Sequence, residues 1–128
     1  MEATLYDAKG DPVAYIADDG ENSIYLWRGH AVAYVSGENI YGWNGKQLGW
    51  FVGGVLYDMD GHRVGSFGEK CPYALDAQPS KFPKYAKYAK CARYTEYARP
   101  GLSSRYSNES LKDFLKVGAV SSGIAVKP

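Results

Sequence analysis

Residues 40–51 read IYGWNGKQLGWF, an apolar residue and a tyrosine, then glycine, then Leu-Gly and two large residues. The same phrase returns as LYDAKGDPVAYI from Leu5, IYLWRGHAVAYV from Ile24 and LYDMDGHRVGSF from Leu56. Four copies inside one chain let equivalent positions be compared directly. A dipeptide ending in glycine splits every copy: Lys9-Gly10, Arg28-Gly29, Asn44-Gly45 and Asp60-Gly61. Two short apolar runs around such a dipeptide form a β-hairpin. A two-residue type I′ turn needs positive φ at both central residues, which Asn-Gly and Asp-Gly tolerate best, so the third and fourth copies are expected to turn that way.

A two-residue turn places Tyr6, Tyr25, Tyr41 and Tyr57 opposite Val13, Val32, Leu48 and Val64 on one aromatic face. Trp27 and Trp43 join that face near the turns, and Tyr15, Tyr34 and Trp50 join it near the bases. The other face carries Leu5, Ile24, Ile40 and Leu56 across from Ala14, Ala33, Gly49 and Gly65. A small residue at one place in all four copies implies close approach of backbones, expected near a central axis. Segments such as Asp18-Asp19-Gly20 and Val52-Gly53-Gly54 suit hairpin-to-hairpin links and are too short for crossover helices. The expected fold is therefore all-β, with four tandem β-hairpins in a pseudo-fourfold rosette. A propeller blade takes four strands and about 40 residues, whereas one copy supplies two strands.

The Tyr-x-x-x-Gly-x-x-Val-Ala pattern in four copies resembles the four-fold beta flower proteins, a family of small bacterial chains. The ending Arg99-Pro100 followed by residues 107–115, SNESLKDFL, adds to the likeness. The resemblance implies no reaction and no catalytic residues.

The 128 residues suffice for one repeat domain, 1–70, and a tail, 71–128. The net charge of +1 conceals a division: residues 1–70 carry −5 and residues 71–128 carry +6. From Lys84 the tail runs KYA, KYA, KCA, RYT, EYA. In an α-helix a spacing of three drifts about 60° per step, whereas polyproline II, with three residues per turn, aligns tyrosines, bases and alanines on separate edges. Ala and Lys favour helix, so both conformations stay open, with the bracketing Pro79, Pro83 and Pro100 inclining toward an extended arm. Ser110-x-x-Asp113 resembles a capping box ahead of a short helix with Leu111, Phe114 and Leu115 on one side. A rosette of 63 residues, apolar on both faces at its bases, needs a cover: this helix, the arm or a second copy of the chain.

The start, Met1-Glu2-Ala3-Thr4, has no basic segment and apolar run, and no stretch approaches the ~18 apolar residues that span a bilayer. A cytoplasmic protein with Cys71 and Cys91 reduced is expected. His30 and His62 occupy one repeat position beside turns, and Asp58 and Asp60 are turn residues. No nucleophile has a companion histidine at an informative spacing, so no enzyme activity, no cofactor and no metal are expected. The function expected is non-enzymatic binding or assembly as a homo-oligomer, a dimer being favoured. Two alternatives name residues. Trp27, Trp43, Trp50, Tyr25 and Tyr41 could stack on carbohydrate or cell-wall material. Lys84, Lys87, Lys90, Arg93 and Arg99, interleaved with tyrosines, could hold nucleic acid or an anionic surface.

Overall fold

The computed structural model describes residues 2–94 and 96–120. Eight short strands follow one another: β1 (Ala3–Tyr6), β2 (Pro12–Ile16), β3 (Ser23–Leu26), β4 (Ala31–Ser36), β5 (Asn39–Gly42), β6 (Gln47–Val52), β7 (Val55–Tyr57) and β8 (Arg63–Ser66). Each pairs antiparallel with the next, and Tyr6 of β1 pairs with Ser66 of β8, so the four hairpins close into an all-β barrel. Closure leaves no free sheet edge. A 3-10 turn (Gly68–Lys70) leads into the tail, which ends in helix α1 (Leu111–Lys116).

The hairpin turns differ from the two-residue form. In the third copy Gly45 N–H donates to the Gly42 carbonyl at 2.9 Å, and Gly42 N–H donates to the Lys46 carbonyl at 2.7 Å. The fourth copy repeats this between Gly61 and Asp58 (3.0 Å) and between Asp58 and His62 (2.8 Å). This is a three-residue loop, a type I turn closed by a glycine in the left-handed region. Gly45 and Gly61 have φ of +91° and +84°, while Asn44 and Asp60 keep negative φ. The side chains explain the preference. Asp58 Oδ1 accepts from Asp60 and His62 N–H at 2.9 and 3.0 Å, and Asn44 Oδ1 accepts from Lys46 N–H at 3.1 Å, bonds that stabilise the longer loop.

The extra residue bulges every hairpin. Leu5, Ile24, Ile40 and Leu56 do pair with Ala14, Ala33, Gly49 and Gly65. Beyond a register shift, the tyrosines pair with Pro12, Ala31, Gln47 and Arg63 rather than with Val13, Val32, Leu48 and Val64. A bulge turns its extra residue away from the ladder, and these four side chains join the interior instead of the tyrosine face. The crowding at the small position has a local source. A Cβ on Gly49 would collide with the Tyr57 carbonyl of the adjacent strand, and one on Gly65 with Leu111 and the Tyr6 carbonyl.

Leu5, Ile24, Ile40 and Leu56 are fully buried and form one layer of the core, each side chain contributing about 1.5–3 kcal/mol. Ile16, Val35, Phe51 and Phe67 pack on it at the strand ends away from the turns, with the two phenylalanine rings edge-on at 5.2 Å. Near the turns the barrel is filled by α1. Its N-cap Ser110 Oγ accepts from Asp113 N–H at 3.1 Å, and Leu111, Phe114 and Leu115 enter the interior cluster against β2, β4 and β8. No helix among the described residues is long and apolar enough to cross a membrane.

Candidate functional site

Between the 3-10 turn and α1 the described residues contain neither helix nor strand, apart from one bridge joining Arg63 and Tyr106. This extended arm runs along all four hairpin turns at a constant step. The N–H groups of Asp76, Tyr85, Tyr94 and Ser103 donate to the carbonyls of Gly10, Gly29, Gly45 and Gly61, each at 2.9 Å. The four donors stand nine residues apart. Phe82 N–H bonds the Trp27 carbonyl at 3.2 Å, and nine residues later Cys91 N–H bonds the Trp43 carbonyl at 2.9 Å. Trp27 Nε1 donates to the Pro79 carbonyl at 3.3 Å, and Trp43 Nε1 donates to that of Tyr88, again nine residues on. Nine residues are three triplets, so the Lys-Tyr-Ala triplet is the subunit of this longer step.

The tyrosines and tryptophans of the outer wall are collected where consecutive copies meet. Tyr15 lies 5.6 Å from Tyr25 and 5.8 Å, edge-on, from Trp27. Tyr34 lies 5.8 Å from Tyr41 and 5.6 Å, edge-on, from Trp43. Both clusters are roofed by cations of the arm. Lys81 sits 4.6 Å from the Tyr15 centroid and Lys84 sits 5.2 Å from that of Tyr25. At the next cluster Lys90 sits 4.1 Å from Tyr34 and Arg93 sits 4.3 Å from Tyr41. Each contact of this kind contributes ~0.5–1 kcal/mol at a partly exposed site.

Carboxylates of the barrel complete the seats. Lys81 and Lys84 both reach Glu2 at 2.8 Å; Lys87 reaches Asp19 at 2.9 Å and Glu21 at 2.6 Å; Lys90 reaches Glu21 at 3.4 Å; Arg99 reaches Glu38 at 2.9 Å. The pairing holds the Glu2 carboxyl below its ordinary range through its bonds from Lys81 and Lys84. Burial alone would raise Asp19, but hydrogen bonds from Ser23, Lys87 and the Glu21 and Ser23 N–H groups outweigh it and depress the carboxyl strongly. Lys87 is raised in return, first by Glu21 and then by Asp19. Arg93 is raised by the Tyr34 hydroxyl, which accepts from its Nε at 3.0 Å.

The structure thus brings Trp27, Trp43, Tyr25 and Tyr41 into the ring clusters, and buries Trp50 elsewhere on the same wall. None is an open stacking platform. Lys84, Lys87, Lys90, Arg93 and Arg99 are brought to the barrel's own rings and acids. Lys81, Glu2, Asp19 and Glu21 belong to the same arrangement and had escaped the sequence reading. Their signal lay in the opposite charges of the two halves and in Lys81 standing nine residues before Lys90. The outward edge of the arm is aromatic: Tyr73, Phe82, Tyr85, Tyr88, Tyr94 and Tyr97 are 40–65% exposed.

His30 stacks on Tyr85 with centroids 4.2 Å apart, and burial lowers its pKa. Asp58, Asp60 and His62 bring possible ligand atoms within 4.8 Å of one another, an arrangement for which the Asp58-capped turn accounts. Cys71 and Cys91 are free thiols. Comparison with curated proteins and with solved structures finds no match. A family model described as 4-fold beta flower protein matches residues 3–115, which include the whole barrel, the arm and most of α1. The chain belongs to the 4-fold beta flower family.

Proposed function

We propose that the protein is a non-enzymatic assembly module that associates with copies of itself through the aromatic edge of its arm. The observation that carries this reading is the separation of the arm into two edges. Cations face the barrel and are partnered there, while Tyr88, Tyr94 and Tyr97 stand outward with 40–64% of their surface exposed. Exposed rings in series favour protein contact, since tyrosine gives a large area at small entropic cost. A net charge of +1 opposes self-association only weakly.

Polyanion binding is the weaker reading, because Lys84, Lys87, Lys90, Arg93 and Arg99 would have to leave their internal partners. Carbohydrate binding on Trp27 and Trp43 would require the arm to lift. Light scattering coupled to size exclusion tests the assembly: the wild type is expected to be a dimer or larger. Combined Tyr94→Ser and Tyr97→Ser is expected to give a monomer with an unchanged far-UV spectrum. A wild-type monomer across the accessible concentration range overturns the reading.

A further inference from the structure

Two copies of the phrase fasten the arm with a tryptophan, and the copy that follows them does not. Its fourth position is Ala8 in the first copy, Trp27 in the second, Trp43 in the third and Met59 in the fourth. Trp27 Nε1 donates to the Pro79 carbonyl at 3.3 Å, and Trp43 Nε1 donates to that of Tyr88. The nine-residue step assigns the Tyr97 carbonyl to the fourth copy, and Ser103 N–H on the Gly61 carbonyl shows that the step is kept there. At the first copy the same step falls on Lys70, inside the 3-10 turn and ahead of the arm. Met59 has no N–H to give, and among the described residues no donor reaches the Tyr97 carbonyl.

A cavity of about 280 Å³ lies at this place, lined by Lys46, Gln47, Met59, Tyr94 and Tyr97. The residue that replaces the tryptophan and the residue whose carbonyl is left over therefore both border it. Both rings are accessible, Tyr94 being 64% and Tyr97 54% exposed. Gln47 is a fixed wall: its Oε1 accepts from Tyr97 N–H at 2.7 Å and its Nε2 donates to Asn39 Oδ1 at 3.2 Å. Met59 is a yielding one, because it also borders a second cavity over Leu48 and Phe114 and its thioether adapts readily. Lys46 forms no ion pair among the described residues. We propose that this cavity binds an indole-type ring, flat and carrying an N–H, with an acidic substituent. The N–H donates to the Tyr97 carbonyl as Trp43 does to that of Tyr88, Met59 and the two tyrosines pack on the ring, and the acid meets Lys46. A second copy does not supply the ring, since Trp27, Trp43 and Trp50 are only 2–9% exposed.

Titration of the full chain with indole-3-acetate, followed by side-chain resonances, tests the site. Saturable shifts are expected at the Met59 methyl and the Gln47 amide. Benzofuran-3-acetate, in which oxygen replaces the N–H, is expected to bind about fivefold more weakly, the scale of one hydrogen bond. Lys46→Met is expected to weaken indole-3-acetate and to leave unsubstituted indole unchanged. Met59→Trp returns the chain's own indole and is expected to abolish the response. Acetyl-Trp-Glu-amide presents the same groups on a peptide: weaker binding than indole-3-acetate assigns the site to a free aromatic acid, and tighter binding assigns it to a tryptophan of another protein. No saturable shift with indole-3-acetate, equal affinity for the two acids, or unaltered affinity in Lys46→Met overturns the proposal. The first two criteria are read on the wild type and hold even where Met59→Trp fails to fold. Light scattering on the same samples keeps the outcome separate from self-association.

Discussion

At the scale of single residues, the turn glycines carry two burdens at once. Gly45 has φ of +91°, and a Cβ there would collide with the Ala92 carbonyl of the arm. Gly45→Ala is therefore expected to cost ~1–3 kcal/mol and to lower the melting temperature. It should also accelerate tryptic cleavage after Lys90 and Arg93, because the collision acts on the arm as well as on the turn. Unchanged cleavage would mean that the arm does not rest on this glycine. The sequence already marked Gly45 as a turn residue. It did not disclose the bare flank that the arm uses, since the need arises from a segment far along the chain, and it misjudged the turn because the Asx bonds of Asn44 and Asp58 favour three residues over two.

For the elements, the arm was the hardest segment to read, and the reason is physical. Alanine and lysine favour helix, while a period of three favours polyproline II. What decides between them lies outside the segment: the carbonyls of Gly29, Trp27, Gly45 and Trp43 accept N–H groups that a helix would keep for itself. A single deletion tests the importance of the step. Removing Ala89 puts Cys91 and Tyr94 out of phase with Trp43 and Gly45 but leaves Phe82 and Tyr85 in place. Hydrogen exchange is expected to show protection lost at the amide of Tyr94 and retained at that of Tyr85. Equal protection at both would show that the arm accepts any register. The α1 cap was legible in Ser110-x-x-Asp113 because capping is local, as was the apolar side made by Leu111, Phe114 and Leu115.

Across the whole molecule, an acidic barrel is fastened to a basic arm by ion pairs that are partly exposed, so the fastening is sensitive to pH. Glu2 and Glu21 are held below their ordinary values by their lysine partners, and Asp19 is held there against its own burial by Ser23, by Lys87 and by the Glu21 and Ser23 N–H groups. A carboxyl depressed on folding contributes stability above its unfolded value, and that contribution disappears as pH falls through the folded value. Lowering the pH from neutral to below about 4 is expected to loosen the arm before the barrel, which has few acids in its interior. Tryptophan emission reports it, since Trp27 and Trp43 lie under the arm: a red shift should precede the loss of far-UV signal. Coincident transitions would place arm and barrel in one cooperative unit. The charge asymmetry of the sequence pointed to this fastening, and the four copies announced the hairpins. Closure into a barrel was less accessible, resting on the pairing of Tyr6 with Ser66 between the most distant copies.

Each hairpin tip claims nine residues of arm, from Asp76 at Gly10 to Ser103 at Gly61. Petal number and arm length are consequently tied together, although they are written in separate parts of the chain. Duplicating one hairpin would leave a tip with no arm to receive it unless nine further residues arrived at the same time. Losing one Lys-Tyr-Ala triplet would strand a tip. The flower could be enlarged or shrunk only by matched changes at two distant places, so the count of four is set by the arm as much as by the barrel.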